Sequence, residues 1–390
     1  MMKENRSFDE IFGGLTQAGK SGVELPPAGW SNPDAMGTMV PIFAAQNTCF
    51  GLDPEHQSAQ VLVDWDMGAM DGFVKNAHAS TDDPVANKTG VPTDGHFVMA
   101  EHSEADLPFY YFLAKTYALA DHYHAAALAG TWANRLYTIC ASSYGVKDTA
   151  QDFPPPLAGK RIFDALDAAK VTWGIYSNSS SPLEYTFLLQ PLNPANIHPT
   201  AQFFTDLSSS SLPSVVFVEG DSTTDSGKAL TSTDEHPPAD IQVGEAFSKS
   251  VYDAVTTSPL WYDAATGDSA ALLWTYDENG SFADHVPPPS ACAPADVSAN
   301  DKVYFSHYGP RVPFVVVSPY ARPAYVSHVT HSHTSMTRLI EAIWDLGALT
   351  ERDANSDALL DMFDFSTAAL ATPPAAPAAG KGGCNPDAGP

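Results

Sequence analysis

Short apolar runs alternate along the chain with stretches whose apolar residues recur at helical spacing. Four runs read as buried strands: Thr172–Tyr176, Val215–Val218, Ala270–Tyr276 and Pro313–Ser318. Each is apolar or β-branched and is followed by polar or turn-forming residues, as parallel strands covered on both faces are. Three longer patterns predict helices over Leu107–Ala120, Gly244–Thr256 and Thr334–Leu346. The last opens on Thr334 and Ser335 as capping residues and carries Met336, Leu339, Ile340, Ile343 and Trp344 at helical spacing. The alternation predicts an α/β fold with a central, largely parallel sheet flanked by helices. Pro154–Pro156, Ser177–Pro182, Ser208–Ser211 and the acidic, Ser/Thr-rich stretch Gly220–Asp240 read as loops. From Ala371 the chain is rich in Ala, Pro and Gly. A single catalytic domain over residues 1–370 and a disordered tail over 371–390 are expected.

Composition narrows the function. Nineteen basic residues against 46 acidic ones give a net charge of −27. That field repels nucleic acid and leaves no basic surface for anionic membranes. A lipid substrate would be reached by apolar contacts or through a zwitterionic headgroup. No apolar run reaches the ~18 residues that a transmembrane helix needs. The four cysteines, Cys49, Cys140, Cys292 and Cys384, form no CxxC pair. This argues against a zinc knuckle or a thioredoxin-type site, and one or two disulfides fit an exported protein.

Four polar clusters carry candidate chemistry. Glu4-Asn5-Arg6-Ser7-Phe8-Asp9 offers a carboxylate and an amide oxygen, which suit a hard cation if the chain turns so that both face one point. The plainer reading is a solvated turn. Gly130-Thr131-Trp132-Ala133-Asn134-Arg135 reads as a loop-to-helix junction, where Thr131 is either an N-cap or a nucleophile. Asn134 lies one turn further on, where it could donate to a phosphoryl oxygen at a helix N-terminus. Tyr276-Asp277-Glu278-Asn279-Gly280 places adjacent carboxylates directly after an apolar strand, where they repel each other unless a cation lies between them. In Asp234-Glu235-His236-Pro237-Pro238 the prolines restrict His236, either as a fixed cationic donor or as an ordinary loop residue. His56 stands alone in Asp53-Pro54-Glu55-His56, and His331 and His333 could cap or pack as easily as act.

In order along the chain, these clusters are joined by Leu107-Pro108-Phe109-Tyr110-Tyr111, Asp121-His122-Tyr123, Asn134-Arg135-Leu136-Tyr137, Asp284-His285-Val286-Pro287-Pro288 and Arg311-Val312-Pro313. The set, from about Glu4 to Leu346, resembles the phosphoesterase family of phosphatidylcholine-type phospholipases C and bacterial acid phosphatases, within the alkaline phosphatase-like superfamily. The resemblance implies one divalent metal ion of unknown identity, held by Glu4, Asn5, Asp277 and Glu278 with Thr131 completing the shell. It implies Thr131 as the nucleophile, a phosphothreonine intermediate, and Asn134, His56 and His236 on the phosphoryl oxygens. The substrate would be a small phosphoester or a phospholipid headgroup, and the location secreted or periplasmic. Phospholipase C-like phosphodiesterase and acid phosphatase are the two activities it allows. A non-catalytic, metal-stabilised binding protein is the alternative of another class.

Three departures from the family pattern stand out. Only Met1-Met2-Lys3 precede Glu4, so the first strand is expected to be truncated and a longer product with an export signal is anticipated. The C-terminal β-domains of the larger phospholipases C are absent from this sequence. Ala133 replaces the proline that the family places two residues after its nucleophile.

Overall fold

The computed structural model describes residues 1–49, 52–77, 94–148, 160–178, 192–221, 229–294, 297–381 and 384–385. Its centre is a twisted sheet. In chain order its strands are β1 Met2–Lys3, β2 Ala118–Ala120, β3 Trp173–Tyr176, β4 Ile197–His198, β5 Val215–Val218, β6 Leu272–Tyr276, β7 Phe314–Val317 and β8 Val326–Ser327. Strands β1, β6, β7, β2 and β8 lie side by side in that order, and β5, β3 and β4 form a second run. A parallel bridge from Met2 to Glu219, the residue after β5, joins the two runs. All neighbouring strands run parallel except at β7, which is antiparallel to both β6 and β2. The expected largely parallel α/β sheet is therefore present, with one reversed strand.

The four predicted strands fall on β3, β5, β6 and β7, each trimmed at its ends. Their residues are among the most buried in the chain: Val315, Val316 and Val317 are fully buried, as are Ile175 and Tyr276. Apolar side chains on both faces are what a sheet sandwiched between helices demands. The short β1 is held by backbone bonds, with Thr275 N–H donating to Met1 O at 3.2 Å and Asp277 N–H to Lys3 O at 3.1 Å.

The helices that position the site are α1 Phe8–Phe12, α2 Ser58–Trp65, α3 Pro108–Thr116, α4 Thr131–Cys140, α5 Ile162–Ala169, α6 Thr200–Ser208, α7 Ile241–Thr257 and α8 His333–Trp344. The helix expected over Leu107–Ala120 is corrected: it ends at Thr116, and Ala118–Ala120 turns extended to become β2. Ala and Leu fit either state locally, and pairing with β7 and β8 decides the outcome. The expected loop at Ser208–Ser211 follows α6. Pro154–Pro156 and most of Ser177–Pro182 lie outside the described residues.

The disordered tail is also corrected. Over its described residues the Ala/Pro/Gly-rich segment is an extended strap. Tyr252 Oη donates to Pro374 O at 3.1 Å, and Trp261 Nε1 to Ala371 O at 3.0 Å. Gly380 N–H donates to Glu245 Oε2 at 2.6 Å. A disulfide joins Cys384 to Cys49, while Cys140 and Cys292 are free thiols. Composition alone suggested no core for this segment, yet its backbone groups find fixed partners on α7.

Candidate active site

The chain turns sharply after β1 because Asn5 adopts a left-handed backbone, φ 62°, which asparagine tolerates better than most residues. This brings Glu4 and Asn5 to one place, as the first motif required. Asn5 N–H donates to Asp277 Oδ1 at 3.2 Å, and Arg6 N–H to Glu278 O at 3.1 Å. Asp277 and Glu278 leave the end of β6, beside β1. The turn that follows needs Gly280: its φ is +60°, and a Cβ there would lie 2.7 Å from the Asn5 Cβ and carbonyl oxygen.

Gly130, not Thr131, is the N-cap of α4, and no side chain caps the helix. Thr131 is the first helical residue, so its hydroxyl is not spent on the backbone. It lies instead 3.4 Å from Glu278 Oε1. Residues more than a hundred positions apart, Thr131 and Glu278, and those on either side of the β1–β6 pair, thus share one small volume.

Arg135, one helical turn beyond Thr131, organises the acids. Its guanidinium reaches Glu4 Oε1 at 2.9 Å, Glu219 Oε1 at 2.8 Å and Asp277 Oδ2 at 3.0 Å. All four residues are buried. Three carboxylates thus surround one guanidinium, and Glu278 follows Asp277 directly in the chain. Burial, reinforced by the neighbouring carboxylates, holds the Glu4 and Glu278 carboxyls well above the usual range, with Arg135 offsetting part of this at Glu4. Asn5 Oδ1 is buried without a hydrogen-bond partner. A buried oxygen left over beside buried acid is a setting that suits a hard divalent cation, and the oxygen donors of Glu4, Asn5, Asp277, Glu278 and Thr131 are of the type such an ion takes.

His56 and His236 face each other with ring centroids 5.3 Å apart. Each turns its Nδ1 to a backbone carbonyl, Pro54 O at 2.6 Å and Pro237 O at 2.7 Å. Those contacts fix the Nδ1–H tautomer and leave Nε2 as a lone pair. Burial lowers both imidazoles, His56 to about 4 with the neighbouring His236 adding to the effect, while the Arg6 and Arg135 charges add to it at His236. For His236, expected as a cationic donor, burial works against the charged form. The Nε2 of His56 accepts from Asn5 Nδ2 at 3.1 Å. Asp53 lies against both rings, 3.5 Å from His56 Nδ1 and 4.0 Å from His236 Nδ1. Asp53 and the two histidines offer ligand atoms that lie within 4.8 Å of one another.

Asn134 is corrected as well. Its Oδ1 accepts from Ala127 N–H at 3.0 Å, and its Nδ2 donates to Ala129 O at 2.7 Å and Gly130 O at 3.2 Å. All of its polar groups shape the loop that presents Thr131. The remaining motif residues are scaffold. Glu235 accepts from Tyr110 and Tyr276 and pairs with Lys3 at 3.1 Å. Gly244 leaves room for it, since a Cβ there would lie 2.0 Å from Glu235 Cγ. Ser281 donates to Glu55 O at 2.8 Å and Asp64 Oδ2 at 2.6 Å, tying the acidic turn to the His56 segment. The sequence reading gave Arg135, Glu219 and Asp53 no role. Arg135 stood inside a motif, and a lone arginine one turn after Thr131 was the available signal.

A model of the phosphoesterase family matches residues 1–347. Non-specific phospholipase C1 of Arabidopsis thaliana is 30% identical over 389 residues, covering 91% of this chain and 68% of its own. Phospholipase C A of Mycobacterium tuberculosis is 28% identical over 431 residues, covering 96% of this chain and 78% of its own. A solved structure of a protein in the alkaline phosphatase superfamily from Vibrio parahaemolyticus aligns over 88% of this chain and 76% of that one, with 11% identity and a TM-score of 0.40.

Proposed function

The chain belongs to the phosphoesterase family, and from that premise we propose that it is a phospholipase C-like hydrolase of phosphoric esters with Thr131 as its nucleophile. The observation that carries this is the uncapped Thr131 hydroxyl, 3.4 Å from Glu278 at the start of α4. Bound between Glu4, Asn5, Asp277 and Glu278, a divalent cation would lower the hydroxyl pKa and offset phosphoryl charge. Thr131 Oγ1 attacks phosphorus in line. The bond to the ester oxygen breaks, and the alcohol leaves with a proton. Water then cleaves the phosphothreonine, which restores Thr131 and releases the phosphate monoester. Asn134 holds the loop in register. His236, its Nε2 free of backbone bonds, faces the substrate beside His56. The helix N-terminus favours the phosphoryl oxygens.

The relatives named as phospholipases C favour a diester such as a phospholipid headgroup. Turnover of p-nitrophenylphosphorylcholine should exceed that of p-nitrophenyl phosphate, and a chelator should abolish both. The reverse preference would assign the acid phosphatase activity. Activity on neither would leave a binding protein. Thr131→Ala should remove turnover with the melting temperature unchanged, and Thr131→Ser should keep part of it. A wild-type rate in Thr131→Ala would end the assignment.

A further inference from the structure

A second group of metal-ligating side chains lies where none of the chemistry above is placed. His331, the residue group before α8, is buried, and its ring is flanked by two aspartates from the segment that follows residues 351–354. His331 Nδ1 is 3.6 Å from Asp357 Oδ1, and His331 Nε2 is 3.3 Å from Asp361 Oδ1. One ligand atom from each of the three residues can be chosen so that all lie within 4.8 Å of one another. One of the atoms is an orphan: His331 Nδ1 is buried and makes no hydrogen bond, while Nε2 lies 3.2 Å from Ser327 Oγ. The rest of the group is well tied. Asp361 Oδ2 accepts from Ser327 and from Tyr325 Oη at 3.3 Å, and Asp357 Oδ1 accepts from Leu359 N–H at 2.8 Å. An unpartnered ring nitrogen buried beside two carboxylates is costly unless something fills the gap.

We propose that His331, Asp357 and Asp361 form a structural site for a divalent ion of the zinc class, separate from the nucleophile. One imidazole and two carboxylates make a mixed nitrogen–oxygen donor set, which suits zinc or cobalt better than magnesium or calcium. The ligands come from two segments, residue 331 and residues 357–361. The ion therefore clamps the later segment against the start of α8. Two residues on, His333 Nε2 bonds Asp277 O at 2.6 Å, so the clamp braces the helix that backs the acidic turn.

The test uses the full chain, stripped with chelator, reloaded with Zn²⁺, gel-filtered and analysed for bound metal. Asp357→Asn is the informative variant, because asparagine keeps the oxygen that accepts from Leu359 N–H. Wild type should hold one equivalent more than Asp357→Asn. The same difference should persist when both also carry Glu278→Gln, so the count does not depend on the catalytic ion. Co²⁺ loading should give a visible ligand-field band that Asp357→Asn loses, while its turnover stays at the wild-type level. Zn²⁺ should raise the melting temperature of Glu278→Gln by several degrees and that of the double variant by none. Equal metal content in wild type and Asp357→Asn would overturn the site and leave an imidazole held between two acids.

Discussion

Arg135 and Arg311 are both buried, and both are ringed by carboxylates, yet the charge around them is balanced differently. Arg311 bonds Asp284 at 3.0 Å and Asp9 at 2.7 Å, and spends Nη1 on Glu24 O and Asp121 O at 2.9 and 2.8 Å. Asp9 in turn accepts from His285 N–H at 2.8 Å and Nδ1 at 2.7 Å. Burial works against the His285 charge, but the bond to Asp9 and the charges of Asp9 and Asp284 prevail and raise its pKa. Asp9 and Asp284 face the guanidinium, and Asp9 and Glu24, the latter 3.5 Å from Nε2, face the imidazole, so each charge in this group has a partner. Around Arg135, three acids face one guanidinium, a fourth, Glu278, stands beside Asp277 at Thr131, and an amide oxygen is left over. The first arrangement holds α1 and the residues beyond β6 together. The second is incomplete without another positive charge. Buried acid in excess, more than the presence of ion pairs, is what sets the candidate site apart.

Four substitutions would break or sharpen that contrast. The largest effect is expected from Glu278→Gln, which should lower turnover about a thousandfold. The same change removes one surplus charge, so in chelator the variant should melt at or above the wild-type temperature. A lower melting point there would show that the acids are already balanced. In the other group, Asp284→Ala leaves Arg311 short of a partner and should cost about 3–5 kcal/mol in denaturant unfolding. Its folded fraction should turn over substrate at the wild-type rate. Loss of activity without loss of stability would erase the distinction between the two clusters. His236→Ala should lower turnover about a hundredfold with little change in stability, and an unchanged rate would return His236 to a loop role.

The smallest effect concerns Asp64, whose carboxyl burial pushes up to about 8, with the Ser281 and Asn76 bonds only partly offsetting it. A carboxyl whose folded pKa is raised stabilises the fold fully below its unfolded pKa, and that contribution is lost as pH rises through the folded value. Wild-type stability should therefore fall between about pH 4 and pH 8. Asp64→Asn should flatten the fall, read as melting temperature across that range. Parallel curves for the two proteins would contradict the shift.

Much of the fold was legible because buried strands announce themselves: Val215–Val218 and Phe314–Val317 are apolar without interruption. The strand β1 was not, since two residues carry no pattern and its place is set by partners on β6 and beside Glu219. Ala118–Ala120 was hidden by a helical pattern that ran into it. In the site, Asp277-Glu278 was readable because adjacent acids after a strand are locally conspicuous. The partners of Arg135 were not, because Glu4, Glu219 and Asp277 stand 131, 84 and 142 positions away. Asn134 had the right place for a phosphoryl contact, but its amide closes the loop before it, and a side chain's direction is not written in spacing.

The bond between Cys49 and Cys384 spans 335 positions and makes most of the polypeptide a ring. A ring has topological consequences that the linear sequence lacks. Any single cut between the two cysteines opens the ring without releasing a piece, so a nicked molecule would keep its mass until reduced. The unfolded ensemble is also confined: joining positions this far apart removes loop entropy worth on the order of 5 kcal/mol in the chain-entropy picture. Part of the stability thus resides in what the unfolded chain is forbidden to do. Reduction would return that freedom and untie the end of the strap from Cys49 without touching the candidate site.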